Sequence, residues 1–392
     1  MRIIPPSRRI AGLLLAALLA AGCQVPSPVT PPPAPAVEEV DRLLDGYRER
    51  GAFPGGVLAV GDRGGLAHLH PFGRFTYEED APPVTADTLY DLASLTKVVA
   101  TTTMAMILVD EGKLDLDQPV QELLPGFHGP GKEAVTVRHL LTHSSGLPAL
   151  APLYQEIRGR PAFVGRIQAM DLVHPAGSRS TYSDLGMILL GEILERAAGQ
   201  PLEAFVRARV LDPLEMRDTR FLPPADLRPR IAPTEIDPWR GRLVHGEVHD
   251  ENAFAMGGVA PHAGLFGTAG DLARFARMLL NGGTLDGRRI VSRETVDLFT
   301  RRAGIPDSDR ALGWDTKSAE GSSAGTLLSP RSFGHTGFTG TSLWMDPERG
   351  LFVILLTNRV HPTRENNLIR EVRPAVADAV VRTLAKLRAG CP

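Results

Sequence analysis

Three short segments carry residues able to do nucleophilic chemistry. In "DLASLTKVVATT", Asp91 to Thr102, Ser94 is followed three positions later by Lys97. Residues i and i+3 share a helical face, so the two side chains can meet. A serine in the first turn of a helix sits at the positive end of its dipole. A lysine stripped of water is driven toward its neutral form and can then take the serine's proton, making a nucleophile of an inert hydroxyl. The chain has only five lysines and 16 serines, so chance supplies about 0.2 such pairs in 392 residues. The second segment, "TYSDLGMILLGEILERAAG", places Tyr182, Ser183 and Asp184 before an amphipathic helix. The third, "FGHTGFTG", contains His335, Thr336 and Gly337, with glycines that let a ligand approach the backbone.

Each segment also has a plain structural explanation. Lys97 could snorkel to solvent, Ser183 or Asp184 could be a helix N-cap, and the third segment could be a glycine-rich turn. Their joint occurrence is what carries weight.

The elements that must position them read as α plus β. "VEEVDRLLDGYRERG" has Val37, Val40, Leu43 and Leu44 on one helical face and ends at Gly51. "FPGGVLAVGDRGGLAHLHPFGRFTY" reads as hairpin strands. A mainly helical middle runs from Leu92 to about Asn281. "SFGHTGFTGTSLWMDPERGLFVILLTNRV" gives three strands, the last two separated by the turn Asp346 to Gly350. A final helix closes the chain despite Pro374. Strands at both ends around a helical insertion imply one sheet built from distant segments.

Composition is that of an ordinary globular protein, 43% hydrophobic and 22% charged. A net charge of -2 gives no electrostatic case for nucleic acid. Cys23 and Cys391 stand near opposite ends, and no Cys/His spacing reads as a zinc site. Residues 1–22 read as a secretory signal: Arg2, Arg8 and Arg9 precede an apolar run too short to span a membrane. Ala20-Ala21-Gly22-Cys23 resembles a bacterial lipobox, which makes Cys23 the expected lipidation site. Residues 23–36 form a Pro-rich tether. The folded domain is expected over 37–392, with sheet from 37–90 and 330–392 and the helical part over about 91–329.

In this order, the three segments resemble the motifs of the penicillin-recognising serine hydrolases: class C β-lactamases, DD-peptidases and related esterases. Ser94-x-x-Lys97 matches the family's first motif outright. Tyr182 matches the second, Tyr-x-Asn, with Asp184 in place of Asn. His335-Thr336-Gly337 stands for Lys-Thr-Gly. "GKLDLDQPVQELLP", "VTVRHLLTHSSGLP" and "GGVAPHAGLFGTAGDLARF" look like framework segments of the same superfamily. "VHDENA", "FGHTGFTGTSLW" and "LLTNRVHP" look closer to penicillin-binding proteins and cell-wall amidases.

The resemblance implies a β-lactamase/transpeptidase-like α/β (α+β) fold: an antiparallel sheet flanked by helices, with an inserted helical subdomain. It implies acyl transfer, with Ser94 as nucleophile and Lys97 and Tyr182 sharing the proton transfers. The backbone N–H groups of Ser94 and Phe338 would hold the oxyanion. Asp184 would lie where the Asn touches substrate and lysine, and a carboxylate there favours charged Lys97. His335, in place of a lysine, would titrate near neutrality, since its reference pKa is about 6.5. Arg359 is either a surface cation or an anchor for a substrate carboxylate. His139 and His143 satisfy local hydrogen bonds. His249, Asp250, Glu251 and His262 serve loop architecture, while Trp344 and Phe338 pack. No cofactor or metal is expected.

The expected protein is a periplasmic, lipid-anchored monomer acting on peptidoglycan-like peptides or related small amides and esters. The alternatives are a promiscuous carboxylesterase and a penicillin-binding receptor that is acylated without turnover.

Overall fold

The computed structural model describes Met1 and residues 34–388. The signal and lipidation readings at residues 1–23 fall outside the described residues 34–388, as does Cys391. Eleven principal elements position the site. They are α1 (Ala34–Glu49), β1 (Gly55–Asp62), β2 (Leu66–Gly73), α2 (Thr103–Asp110), α3 (Asp184–Ala198), α4 (Ala269–Leu280), β3 (Asp315–Thr316), β4 (Phe333–Thr336), β5 (Ser342–Asp346), β6 (Leu351–Thr357) and α5 (Ile369–Arg388).

The six strands form one sheet in the order β3-β4-β5-β6-β1-β2. Every neighbouring pair is antiparallel. The centre joins the two ends of the domain: β1 pairs with β6 from Gly56 opposite Thr357 to Asp62 opposite Leu351. Both strands are buried on both faces, which is why they read as continuous apolar runs rather than alternating ones. On one face, Leu58, Val60, Val353 and Leu355 share a core with Val40 and Leu44 of α1 and Val372 and Val376 of α5. On the other, Val57, Ala59, Ile354 and Leu356 share a core with Leu272, Phe275 and Leu279 of α4, continuous with the helical region.

Two boundaries differ from the sequence reading. The helix α1 begins at Ala34, inside the stretch read as tether. The two-residue strand β3 joins the sheet from within the stretch read as helical, pairing Asp315 with Gly334 and Thr316 with Phe333. Two residues are too few to show a period of two. Pro374 sits within α5 as expected.

Candidate active site

Ser94 follows a sharp turn. Its neighbour Ala93 has φ of 47°, a left-handed conformation rarely adopted by residues other than glycine. The buried carboxylate of Asp91 accepts the Ala93 N–H at 2.8 Å and the His249 N–H at 2.7 Å, holding the turn in place. The chain then enters a helix whose first part, Lys97–Thr102, is widened to a π-helix before α2. Such a widening is rare and is frequent at functional sites.

Lys97 is buried, at 1% exposure. Its Nζ donates to Ser94 Oγ at 2.8 Å and to the His262 carbonyl at 3.0 Å, and lies 2.7 Å from an Asp184 oxygen. Burial works against its charge, but the Asp184 carboxylate and the Tyr182 oxygen outweigh it. The lysine is therefore held protonated, above its ordinary range. The carboxylate that stands at position 184 in place of Asn opposes the effect of burial.

Tyr182 donates its hydroxyl to Ser94 Oγ at 2.9 Å. Burial raises its pKa. The ring is packed between His143, 4.7 Å away between centroids, and the Arg310 guanidinium, 5.0 Å from its centroid. His143 also accepts the Ser183 N–H at 3.1 Å, so the histidine fixes the backbone that carries Tyr182. Ser183 is the N-cap of α3, accepting the Gly186 N–H at 3.1 Å. The capping explanation thus holds for Ser183, while Tyr182 and Asp184 on either side of it face Ser94 and Lys97. His139 closes a capping box with Thr136.

The third segment reaches Ser94 through backbone contacts. Thr339 and Thr341 hydroxyls donate to the Asp91 and Leu92 carbonyls at 2.7 and 3.1 Å. A Cβ on Gly337 would lie 2.0 Å from Thr341 Oγ1 and 2.6 Å from the Leu92 carbonyl, so only glycine allows this approach. The backbone N–H groups of Ser94 and Phe338 have no acceptor among the described residues. Thr336 is partly exposed at the end of β4.

His335 does not behave as the sequence suggests. It is 2% exposed, its Nδ1–H donates to the Thr336 carbonyl at 2.8 Å, and its Nε2 has no partner. Burial pushes its pKa down to about 4. It stays neutral through the physiological range and cannot supply the titrating charge expected of it.

Arg359 is neither a surface cation nor a free anchor. It is buried and donates to the carbonyls of Phe338, Arg364 and Asn366, each at 2.8 Å. Phe338, expected to pack, is instead half exposed, with its ring stacked on His249 and 4.5 Å from the Arg359 guanidinium. Trp344 is buried as expected. The other polar residues form pairs: His249 with Glu235 at 2.8 Å, His262 with Asp250 at 2.9 Å, and Glu251 with Arg364 at 2.7 Å.

Sequence reasoning missed Arg310. Together with Tyr182, Ser180, Asp315, Ser322 and others it lines a cavity of about 430 Å³ on which Tyr182 borders, and it pairs with Asp315. It also missed Arg373 on α5, whose guanidinium donates to the carbonyls of Gly337 and Thr341 at 2.7 and 2.8 Å. Neither belongs to a short motif. Only the Asx-turn tendency of Asp91 was available as a local signal for the nucleophile turn.

The family described as Beta-lactamase matches residues 40–377. A protein of Escherichia coli K12 named "Putative D-alanyl-D-alanine carboxypeptidase" is 36% identical over 314 residues, 72% of each chain. An N-acetylmuramyl-L-alanine amidase of Bacillus subtilis is 33% identical over 361 residues, 83% of this chain and 81% of its own. Among solved structures, a penicillin-binding protein homologue from Caulobacter crescentus aligns with a TM-score of 0.71 at 25% identity, over 91% of this chain and 99% of its own. The fold is also that of EstCE1, a hydrolase with promiscuous acyltransferase activity, with a TM-score of 0.72 at 21% identity, over 88% of this chain and 98% of that one. With the family matched across most of its length and relatives above 30% identity, this chain belongs to the Beta-lactamase family.

Proposed function

We propose that the protein is a serine hydrolase that works through an acyl-enzyme on peptidoglycan-like peptide amides and related esters. One observation carries the reading: Ser94 Oγ accepts hydrogen bonds from both Lys97 and Tyr182, at 2.8 and 2.9 Å, beside two unpaired backbone N–H groups. The names of the relatives support the substrate class.

In this mechanism Ser94 Oγ attacks the substrate carbonyl carbon. Its proton passes to Lys97 as Lys97 passes one to Asp184. The carbonyl oxygen becomes an oxyanion held by the N–H groups of Ser94 and Phe338, a kind of stabilisation worth about 3 kcal/mol per donor. Collapse breaks the bond to the leaving group, which takes the Tyr182 proton. Water then attacks the ester while the Tyr182 phenolate takes its proton. Release of the acid returns the shared proton through Lys97 to Ser94.

Carboxylesterase activity is the second reading, favoured by the neutral, buried His335 where a lysine's charge would attract an anionic substrate. The same proposal puts the enzyme outside the cytoplasm, tethered through Cys23, on the strength of the lipobox-like run and the cell-wall names of the relatives.

The test is incubation with a fluorescent penicillin and a nitrophenyl ester, followed by intact-mass analysis. An adduct on Ser94 and steady turnover are expected, both lost in Ser94→Ala. A permanent stoichiometric adduct without turnover would favour a receptor. Unchanged hydrolysis by Ser94→Ala would refute the nucleophile.

A further inference from the structure

A second cluster lies on the far face of the sheet from α4. The edge strand β2 carries His68 and His70 opposite Val60 and Leu58 of β1, so both imidazoles point to the face covered by α1. Asp41 of α1 reaches down between them. Its carboxylate lies 2.9 Å from His68 Nε2 and 3.6 Å from His70 Nδ1. The three ligand atoms fall within 4.8 Å of one another. The side chains keep 20–25% exposure, which leaves a path for an ion and for water.

A polar group on an edge strand discourages pairing with another chain, and that alone would explain one histidine. It does not explain His70. Neither of its ring nitrogens has a hydrogen-bond partner among the described residues, and Nε2 is buried. If Nε2 carries the proton, a buried N–H goes unpaired and the Nδ1 lone pair faces a carboxylate. A cation between Nδ1 and Asp41 turns that repulsion into two attractive contacts.

We propose that Asp41, His68 and His70 bind a divalent transition metal, zinc above all, with water completing the coordination. Two imidazoles and one carboxylate suit zinc and its first-row neighbours rather than calcium or magnesium, which take oxygen ligands. Tetrahedral bonds of about 2.0–2.2 Å place ligand atoms about 3.3–3.6 Å apart, against 2.9 and 3.6 Å for the two Asp41 contacts and at most 4.8 Å for the remaining pair. The ion would tie α1, the first described helix, to the open edge of the sheet. It would act on stability rather than on the Ser94 chemistry, because the cluster and α4 lie on opposite faces.

The experiment uses tag-free full-length protein stripped with a chelator and titrated with Zn²⁺, then with Co²⁺ as an absorbing substitute. One Zn²⁺ per chain at micromolar affinity or tighter is expected, with a melting temperature raised by a few degrees and ester hydrolysis unchanged. Asp41→Asn and the double variant His68→Gln/His70→Gln should weaken binding by at least about 10-fold. In case a variant fails to fold, the wild-type protein gives an independent reading: bound Zn²⁺ should protect His68 and His70 from diethyl pyrocarbonate, mapped by peptide mass. Absence of stoichiometric binding, affinity unchanged in the folded double variant, or modification of both histidines at the same rate with and without Zn²⁺ would each overturn the site.

Discussion

The Arg373 guanidinium donates to the Gly337 carbonyl at 2.7 Å. That carbonyl belongs to the same peptide plane as the Phe338 N–H, which points the opposite way and has no acceptor. Arg359 bonds the next carbonyl, that of Phe338, at 2.8 Å. The two guanidiniums thus hold the carbonyls of two successive peptides, one on each side of Phe338. Polarising a carbonyl strengthens the N–H of its own peptide as a donor. Arg373→Gln is expected to lower kcat by about 10-fold with little change in KM, a fraction of what removing an oxyanion donor costs. Arg373→Lys should recover part of the loss. A variant that raises KM at constant kcat would assign Arg373 to packing alone.

Asp184 sets the protonation of Lys97. With the carboxylate present, Lys97 holds its proton well above neutrality, and the mechanism requires it to pass that proton on. Asp184→Asn removes the acceptor. Lys97 must then lose its proton to solvent before it can take that of Ser94. The kcat/KM profile of the variant should therefore gain an acidic limb, with low activity at pH 7 recovering as pH rises, while the native enzyme stays flat from pH 6 to 8. Identical profiles for the two proteins would rule out the relay.

Arg310, ion-paired with Asp315, lines the cavity beside Tyr182 and is the candidate tested for recognising a substrate carboxylate, since His335 is neutral and Arg359 is engaged with backbone carbonyls. Arg310→Ala should raise KM about 10-fold for a carboxylate-bearing ester and leave its methyl ester unaffected, the worth of one charge-assisted hydrogen bond. KM measured for the matched pair decides it. Equal effects on both members would show that Arg310 acts only by packing on Tyr182.

His335 links stability to acid. Its folded pKa is about 4, against an unfolded value of about 6.5. Between these values the unfolded chain binds a proton that the folded one does not, so stability is full above pH 6.5 and falls as pH drops toward 4. The loss from this residue is roughly 3 kcal/mol. Denaturant unfolding at pH 7 and pH 4.5 should show a smaller difference for His335→Gln than for the native protein. An equal difference would assign the acid lability to other groups, the buried His143 first among them.

The pairing of Ser94 with Lys97 was legible in the sequence because a helix fixes i, i+3 neighbours locally. So was the terminal origin of the sheet, because β1 and β6 are apolar runs flanked by turns. Tyr182 and the His335-Thr336-Gly337 segment were legible as motifs, and their order matched a known family. Their distances to Ser94 were not, because 88 residues separate Tyr182 from Ser94 and contacts across such a gap depend on packing. The charge state of His335 was decided by the tertiary structure alone, while the Asp at position 184 had already pointed to a charged Lys97. Burial made His335 neutral, and the carboxylate of Asp184 kept Lys97 charged against the same burial. Arg310 and Arg373 carried no local signature at all. A long side chain can come to a site from any element that passes within its reach, and only the folded chain determines which elements those are.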